Sequence, residues 1–351
     1  MDTVTRALYF PHSRPLTVLY GDLEAHAMQQ DVAFVGTPGA VVVRTNASGF
    51  SFYAHKFQDA EGKSRERYLA GPVGGAEAEA VAAGFRERIA EVSGLVPSLR
   101  LLAREGFSVL DSKSMAVIST LHNRGLFRAG ASLIGSHAYG ILLNKLGVRA
   151  APYSTEDIDL ARARPLEFDA APTSNLLGIL NESGLSFVEV APPDRKAPST
   201  SFKQRGRARL RLGLLVPARG REFPAVAVPE LGAHATGLPY LDYVLEETQP
   251  AMAMARTGCC AVRVPLPERF AIHKLVVSSL RVGRDAKSLK DREQASALCA
   301  VLADLHPGAI ESAVDTLPRT ALALLRSAVA AVRASLEASA PQAWAALSQS
   351  A

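Results

Sequence analysis

Two short motifs carry side chains able to hold a divalent ion and a phosphate. Gly135-Ser136 follows the short run Ser132-Leu133-Ile134, and Asp157-Ile158-Asp159 opens a second run that reads as a strand. Side chains alternate between the two faces of a strand. Asp157 and Asp159 therefore point one way, while Ile158 and Leu160 point into the core. Two carboxylates a strand-step apart can share a divalent ion. Magnesium takes oxygen ligands and binds through one or two carboxylates plus substrate phosphates. Gly135 lets a phosphate approach the backbone closely, and the Ser136 hydroxyl with a following helix start favours an anion there. Each motif alone is common. A Gly-Ser pair is an ordinary turn, and Asp-x-Asp is ordinarily an exposed strand end. Their order gives them meaning.

The intervening chain must build the scaffold. Ser136 and Asp157 lie 157 − 136 = 21 positions apart. That leaves room for a helix from His137 to Leu146 and a loop from Gly147 to Thr155. Upstream, a helix over about 16–32 precedes a meander of three short strands, Ala40 to Thr45, Phe50 to Phe57 and Lys63 to Leu69. Turn residues between alternating runs are the hairpin pattern. Gly71-Pro72 and Gly74-Gly75 punctuate the chain. Glu77 to Arg104 reads as one or two helices, and Asp111 or Ser112 caps a helix reaching about Arg124. Downstream of the motifs, Asn175 to Ser183 reads as helix and Ser186 to Val190 as strand.

The stretch Phe202 to Val216 alternates, with Lys203, Arg205, Arg207, Arg209 and Arg211 on one face. From Leu238 the chain reads as mainly helical, apart from a strand through Cys259 to Val264. Its main helices are Pro267 to Arg281, Lys287 to Ala303 and Leu317 to Leu336. The expected class is α/β (α+β) with a small mixed sheet. The expected division is an N-terminal helix and β-meander over 1–75, a helical connector over 76–128, the core over 129–218 and a mainly helical region over 219–351.

Bulk properties exclude several classes. With 48% hydrophobic and 21% charged residues the chain is an ordinary globular protein. Its 39 basic residues against 34 acidic ones suit a phosphate-bearing ligand without demanding one. Three cysteines, Cys259, Cys260 and Cys299, have no CxxC spacing, so neither a disulfide framework nor a zinc site is expected. No apolar run reaches the length that crosses a bilayer, and no membrane partner is expected. Met1 to Phe10 lacks an apolar core of leader length, and the cytoplasm is the expected compartment. Ser136 lacks the spacing of a nucleophile elbow, and no HExxH, Walker lysine or dinucleotide glycine motif occurs.

The segment Ser132 to Gly140, with Ser154 to Ala161, resembles a bacterial family of nucleotidyltransferase-fold proteins in the DNA polymerase beta-like superfamily. Leu238-Pro239-Tyr240-Leu241-Asp242-Tyr243, Val264 to Leu275, Lys287-Ser288-Leu289-Lys290-Asp291 and Gln294-Ala295 extend the likeness, as does Tyr68-Leu69-Ala70-Gly71-Pro72. It covers most of the chain. The resemblance implies a nucleoside triphosphate substrate, with Gly135 and Ser136 on phosphate and Asp157 and Asp159 on magnesium, manganese being the alternative ion. It also implies phosphate contacts from Lys274, Lys287 and Lys290, with Arg281 on the same side. Lys290-Asp291 can equally be an ordinary solvated pair, the reading favoured for Asp291, and His273 reads as a packed histidine.

One departure stands out. Such proteins carry a third carboxylate in the pattern Leu-Arg-Val-Asp-Leu-Leu-Thr-Pro, and here Gly213 stands at the Asp position within Leu210 to Pro217. The resemblance assigns that Asp to the metal beside the attacking group and to general-base work, which glycine cannot do. An ordinary reading of Gly213 is a bulge or close backbone approach. Glu189, Glu222 and Glu230 are candidate substitutes. Three functions stay open: transfer of a nucleoside monophosphate to a hydroxyl on RNA, protein or a small molecule; nucleotide binding by a catalytically impaired protein; and nucleic-acid binding through the arginine stripe. The stripe has a plainer reading as a charge-protected sheet edge.

Overall fold

Strand β1 (Tyr9–Pro11) leads into helix α1 (Arg14–Gln29), which carries proline in its first turn. A meander follows: β2 (Ala40–Thr45), β3 (Ser51–Gln58) and β4 (Ser64–Ala70), all antiparallel. Asparagine and aspartate shape its turns. Asn46 Oδ1 accepts from the Ser48 and Phe50 amides, and Asp59 Oδ1 accepts from the Glu61 and Lys63 amides. Residues 76–104 form one helix, α2 (Ala76–Arg104). Asp111 caps α3 (Ser112–Asn123), accepting from the Lys113 and Ser114 amides. The computed structural model describes residues 7–151, 155–170, 172–192, 194, 196–220, 222–281 and 285–350. Ser154 of the expected motif lies outside them.

The site-bearing stretch runs β5 (Ser132–Ile134), α4 (Gly135–Lys145), β6 (Val148–Ala150), β7 (Asp157–Ala161), α5 (Leu176–Asn181), β8 (Phe187–Glu189), β9 (Ser201–Gln204) and β10 (Arg211–Ala218). It is followed by β11 (Ala225–Val228), β12 (Ala233–Pro239), α6 (Leu241–Leu245), β13 (Thr248–Ala255) and β14 (Gly258–Pro265). The chain closes with α7 (Pro267–Leu280), α8 (Asp285–Leu305), α9 (Ala309–Asp315), α10 (Leu322–Ser339) and α11 (Pro341–Ser350).

A mixed α/β protein results. Its central sheet has the order β11-β12-β10-β7-β5, with β9 on β10 and β8 on β9. Strand β10 runs parallel to β7 and β12, while β5 is antiparallel to β7. Ile158, Leu160, Leu212 and Leu214 are at most 1% exposed, so this face of β7 and β10 is core. The main apolar cluster reaches from Ala33 to Leu347. No single described helix is long and apolar enough to cross a membrane.

Three sequence expectations need correction. The arginine stripe is not one strand. The chain turns between Gln204 and Arg211, and β9 folds back antiparallel on β10, so Lys203 faces Arg211. Arg205, Arg207 and Arg209 lie in the connection. The loop expected over Gly147 to Thr155 contains β6, whose antiparallel partner is β1 at the other end of the chain. The region beyond Leu238 contains β13, paired along its length with β14. Ala251 to Ala255 are all at most 3% exposed. A strand covered on both faces shows no alternation, and its Met and Ala residues favour helix.

Candidate active site

Strand β7 sits between β5 and β10 and carries the two carboxylates on one face. Its register sets the surroundings. Asp157 stands opposite Arg211 of β10, and Asp159 stands opposite Gly213. One strand further out, Lys203 and Ser201 of β9 continue those two rows. The exposed end of the sheet therefore reads Asp157-Arg211-Lys203 in one row and Asp159-Gly213-Ser201 in the next.

Asp159 also meets the start of α4. Gly135 has φ +68°, and a Cβ built there would collide with Asp159 Oδ2. Two requirements for glycine coincide: a left-handed backbone and direct packing of a carboxylate on Cα. Ser136 follows in the first turn. No side chain caps this helix, so its leading amides are available to an anion. Gly135→Ala should cost about 1–2 kcal/mol in chemical denaturation, because it forces a left-handed conformation on a β-carbon, and should weaken nucleotide binding by displacing Asp159. Wild-type values for both measurements would contradict the packing described.

Helices α7 and α8 supply the positive charge. Lys274 and Asp291 are 6% and 7% exposed, and Lys274 Nζ donates to Asp291 Oδ1 at 2.8 Å. Arg281 Nε lies 3.2 Å from the other oxygen of Asp291. Asp291 is thus a buried anchor for two cations, against the expectation of a solvated pair. The charges of Lys274, Arg281 and Lys287 act on Asp159. Lys290 is half-buried, and both Asp157 and Asp159 act on it, while burial pulls its pKa down. Lys287 is exposed. All the residues expected at the site, Gly135, Ser136, Asp157, Asp159, Lys274, Lys287 and Lys290, belong to one neighbourhood.

Burial, and then the adjacent Asp157 carboxylate, push the Asp159 carboxyl up to about 6, with Lys274 the largest opposing charge. His137, just after Ser136, is 7% exposed, and burial lowers its pKa to about 4. His273 is equally buried, with the Pro239 backbone as a hydrogen-bond partner, and burial followed by Lys274 lowers it to about 4. It is a packed histidine. A cavity of about 600 Å³ adjoins the site, with His137, Thr155, Glu156, Asp111 and Lys113 in its wall. The sequence reading did not single out this cavity or Asp111 as part of one, since its lining comes from four separate segments.

The proposed stand-ins for a third carboxylate fare poorly. Glu189 pairs with Phe202, whose own partner is Leu212, so Glu189 faces away from Asp157 and Asp159. Glu230 is held by Arg162 Nε at 2.8 Å and accepts from the Leu166 amide. Glu222 follows the C-terminal end of β10, the end remote from Gly213. Among the described residues, no group of three His, Cys, Asp or Glu side chains is placed to hold a metal. The donor set is two carboxylates, a fit for an ion that arrives with phosphate oxygens of its own.

A parallel-centred mixed sheet, a Gly-Ser helix start and a paired-carboxylate strand facing a cluster of cations define a nucleotide-handling α/β protein. A family model described as Nucleotidyltransferase matches residues 112–318, which contain every one of these features, and the chain belongs to that family. No curated protein and no solved structure matches the chain.

Proposed function

We propose that this nucleotidyltransferase-family protein moves a nucleoside monophosphate from a nucleoside triphosphate to a hydroxyl acceptor and releases pyrophosphate. One observation carries the reading: Asp157 and Asp159 share a strand face onto which the charges of Lys274, Arg281, Lys287 and Lys290 converge. Carboxylates alone would repel a triphosphate. Cations alone would bind it without organising a metal. Together they suit a magnesium-loaded nucleotide, or a manganese-loaded one.

Asp157 and Asp159 would hold the ion, and it would supply charge stabilisation at the transferring phosphoryl group. The amides at the start of α4 and the Ser136 hydroxyl bind phosphate oxygens. Lys287 and Lys290 offset the charge of the departing pyrophosphate. Lys274 holds Asp291 and keeps a positive charge behind Asp159. The acceptor hydroxyl enters from the cavity beside His137 and Glu156.

The direct experiment gives the protein magnesium, a cell extract and each nucleoside triphosphate, labelled in separate samples at the α- or γ-phosphate. Label from the α-position in a product, with γ-label released as pyrophosphate, is the expected result. Label retained only from the γ-position would mean phosphoryl transfer and defeat the proposal.

Gly213 favours a second reading, in which the protein binds nucleotide without transferring it. The two readings separate at Gly213→Asp. A Cβ at Gly213 meets only Asp159 Oδ1, at 3.5 Å, so the strand has room for a side chain on the carboxylate face. If the missing carboxylate limits turnover, Gly213→Asp should raise transfer by about a hundredfold, the scale of a positioned general base. Unchanged turnover in a variant that still binds nucleotide would show that catalysis does not wait on this position.

A further inference from the structure

The N-terminal meander forms a second pocket, far along the chain from the carboxylates. It encloses about 650 Å³ between β3, β4, α2 and the turn at Ser183-Gly184. The rings of Phe34, Phe57, Phe85 and His55 are in its wall. The rings form one connected cluster. Phe34 and Phe85 meet edge to face at 5.7 Å, and His55 stacks on Phe57 at 4.7 Å. Phe34, Phe57 and Phe85 are only half-buried. Open aromatic surface therefore remains inside a concave site.

The charges around it do not cancel. Three carboxylates reach the wall, and each already has an arginine. Asp59 is paired with Arg65 at 2.7 Å, Glu66 with Arg44 at 2.9 Å, and Glu182 with Arg124 at 2.6 Å. Arg67 and Arg88 also line the pocket, and neither forms an ion pair with a described carboxylate. Arg88 lies over the rings of Phe34 and Phe85, at 4.7 and 5.5 Å from their centroids. Its Nε is buried and has no hydrogen-bond partner. A buried donor without an acceptor costs free energy, and an anionic oxygen would satisfy it.

Ring faces to stack on, an unsatisfied guanidinium and a second arginine at the rim call for a flat aromatic group joined to an anion. We propose that this pocket binds one nucleotide unit, its base on the aromatic wall and its phosphate between Arg67 and Arg88. The volume suits a ligand of that size. Sequence-tolerant stacking on aromatic side chains beside basic residues is how single-stranded nucleic acids are held. The unit comes either from a free mononucleotide or from the end of a single-stranded RNA. The proposal does not depend on transferase activity, since no residue of the pocket belongs to the carboxylate site.

Calorimetry on the full chain, in chelator and without divalent ions, tests it with adenosine 5′-monophosphate, adenosine, inorganic phosphate and a short oligoadenylate bearing a 5′-phosphate. Adenosine 5′-monophosphate should bind, with adenosine and phosphate each weaker by about tenfold or more, since each keeps only one half of the recognition. Arg88→Gln and Arg67→Gln should each weaken binding by about tenfold. Arg67 is exposed enough that its replacement leaves folding intact, which a melting curve verifies. Tighter binding of the oligoadenylate identifies a strand end as the source, and equal binding identifies the free nucleotide. Absence of binding, binding indifferent to both substitutions, or phosphate alone binding as well as the nucleotide would each overturn the assignment.

Discussion

Replacing Asp157 and Asp159 together with alanine should abolish nucleotide transfer and leave a folded protein. The two halves of that result have separate causes. Both carboxylates lie on the outer face of β7, whereas its buried contacts come from Ile158 and Leu160, each 0% exposed. The ladder to β5 and β10 uses backbone groups that alanine retains. Asp159 is recessed and repelled by Asp157, so its removal also relieves an unfavourable charge. Circular dichroism and thermal melting should therefore match wild type. Transfer should fall by about three orders of magnitude or more, because electrostatic stabilisation at the reacting phosphate is the largest single contribution in such sites. Undiminished transfer by the double variant would disprove the site assignment.

Lys274→Met has the largest expected effect on stability. Lys274 and Asp291 form a buried pair, and the loss of one partner strands the other charge. Such losses cost about 3–5 kcal/mol. Arg281 stays 3.2 Å from Asp291 and keeps the cost toward the lower figure. Denaturant titration of Lys274→Met, of Asp291→Leu and of the double variant forms a closed cycle. The double variant should recover most of the stability lost by Lys274→Met, because two apolar side chains of similar volume replace the pair. A single variant as stable as wild type would mean that the pair contributes nothing to the fold. Nucleotide affinity should stay low in the double variant, since the charge behind Asp159 does not return.

The sequence made the carboxylate strand legible for a simple reason. Asp157-Ile158-Asp159-Leu160 alternates polar and apolar residues on a strand with one open face, and period two survives in the letters. Gly135 was legible as a turn, but its contact with Asp159 was not, because that contact spans two strands. The cations illustrate the opposite case. Lys274, Lys287 and Lys290 follow no period that points to a site, and resemblance alone brought them together. Asp291 looked solvated because it follows a lysine in a polar stretch, and only the packing of α7 on α8 buries it. The β9–β10 reversal was hidden by alternation that continues through Arg205 to Arg209 without a strong breaker other than Gly206. The pairing of β6 with β1 was hidden by distance along the chain and by strands of three residues, too short to show a pattern.

That last pairing bears on how the protein can be divided. Residues 112–318 match the family, yet β6, which precedes the carboxylate strand, is zipped to Tyr9–Pro11 outside that range. Tyr9 also donates to Asp304 of α8, the helix that carries Lys287 and Lys290. On the far side, Ser279 of α7 donates to the Leu324 carbonyl of α10. A gene fragment trimmed to the matched residues would therefore produce a raw strand edge at Val148–Ala150 and an unclasped α8. These contacts join the chain from Tyr9 to Leu324, and Tyr9–Pro11 act as a clasp: a peptide carrying them, supplied in trans, is the natural piece with which to attempt complementation of a truncated protein.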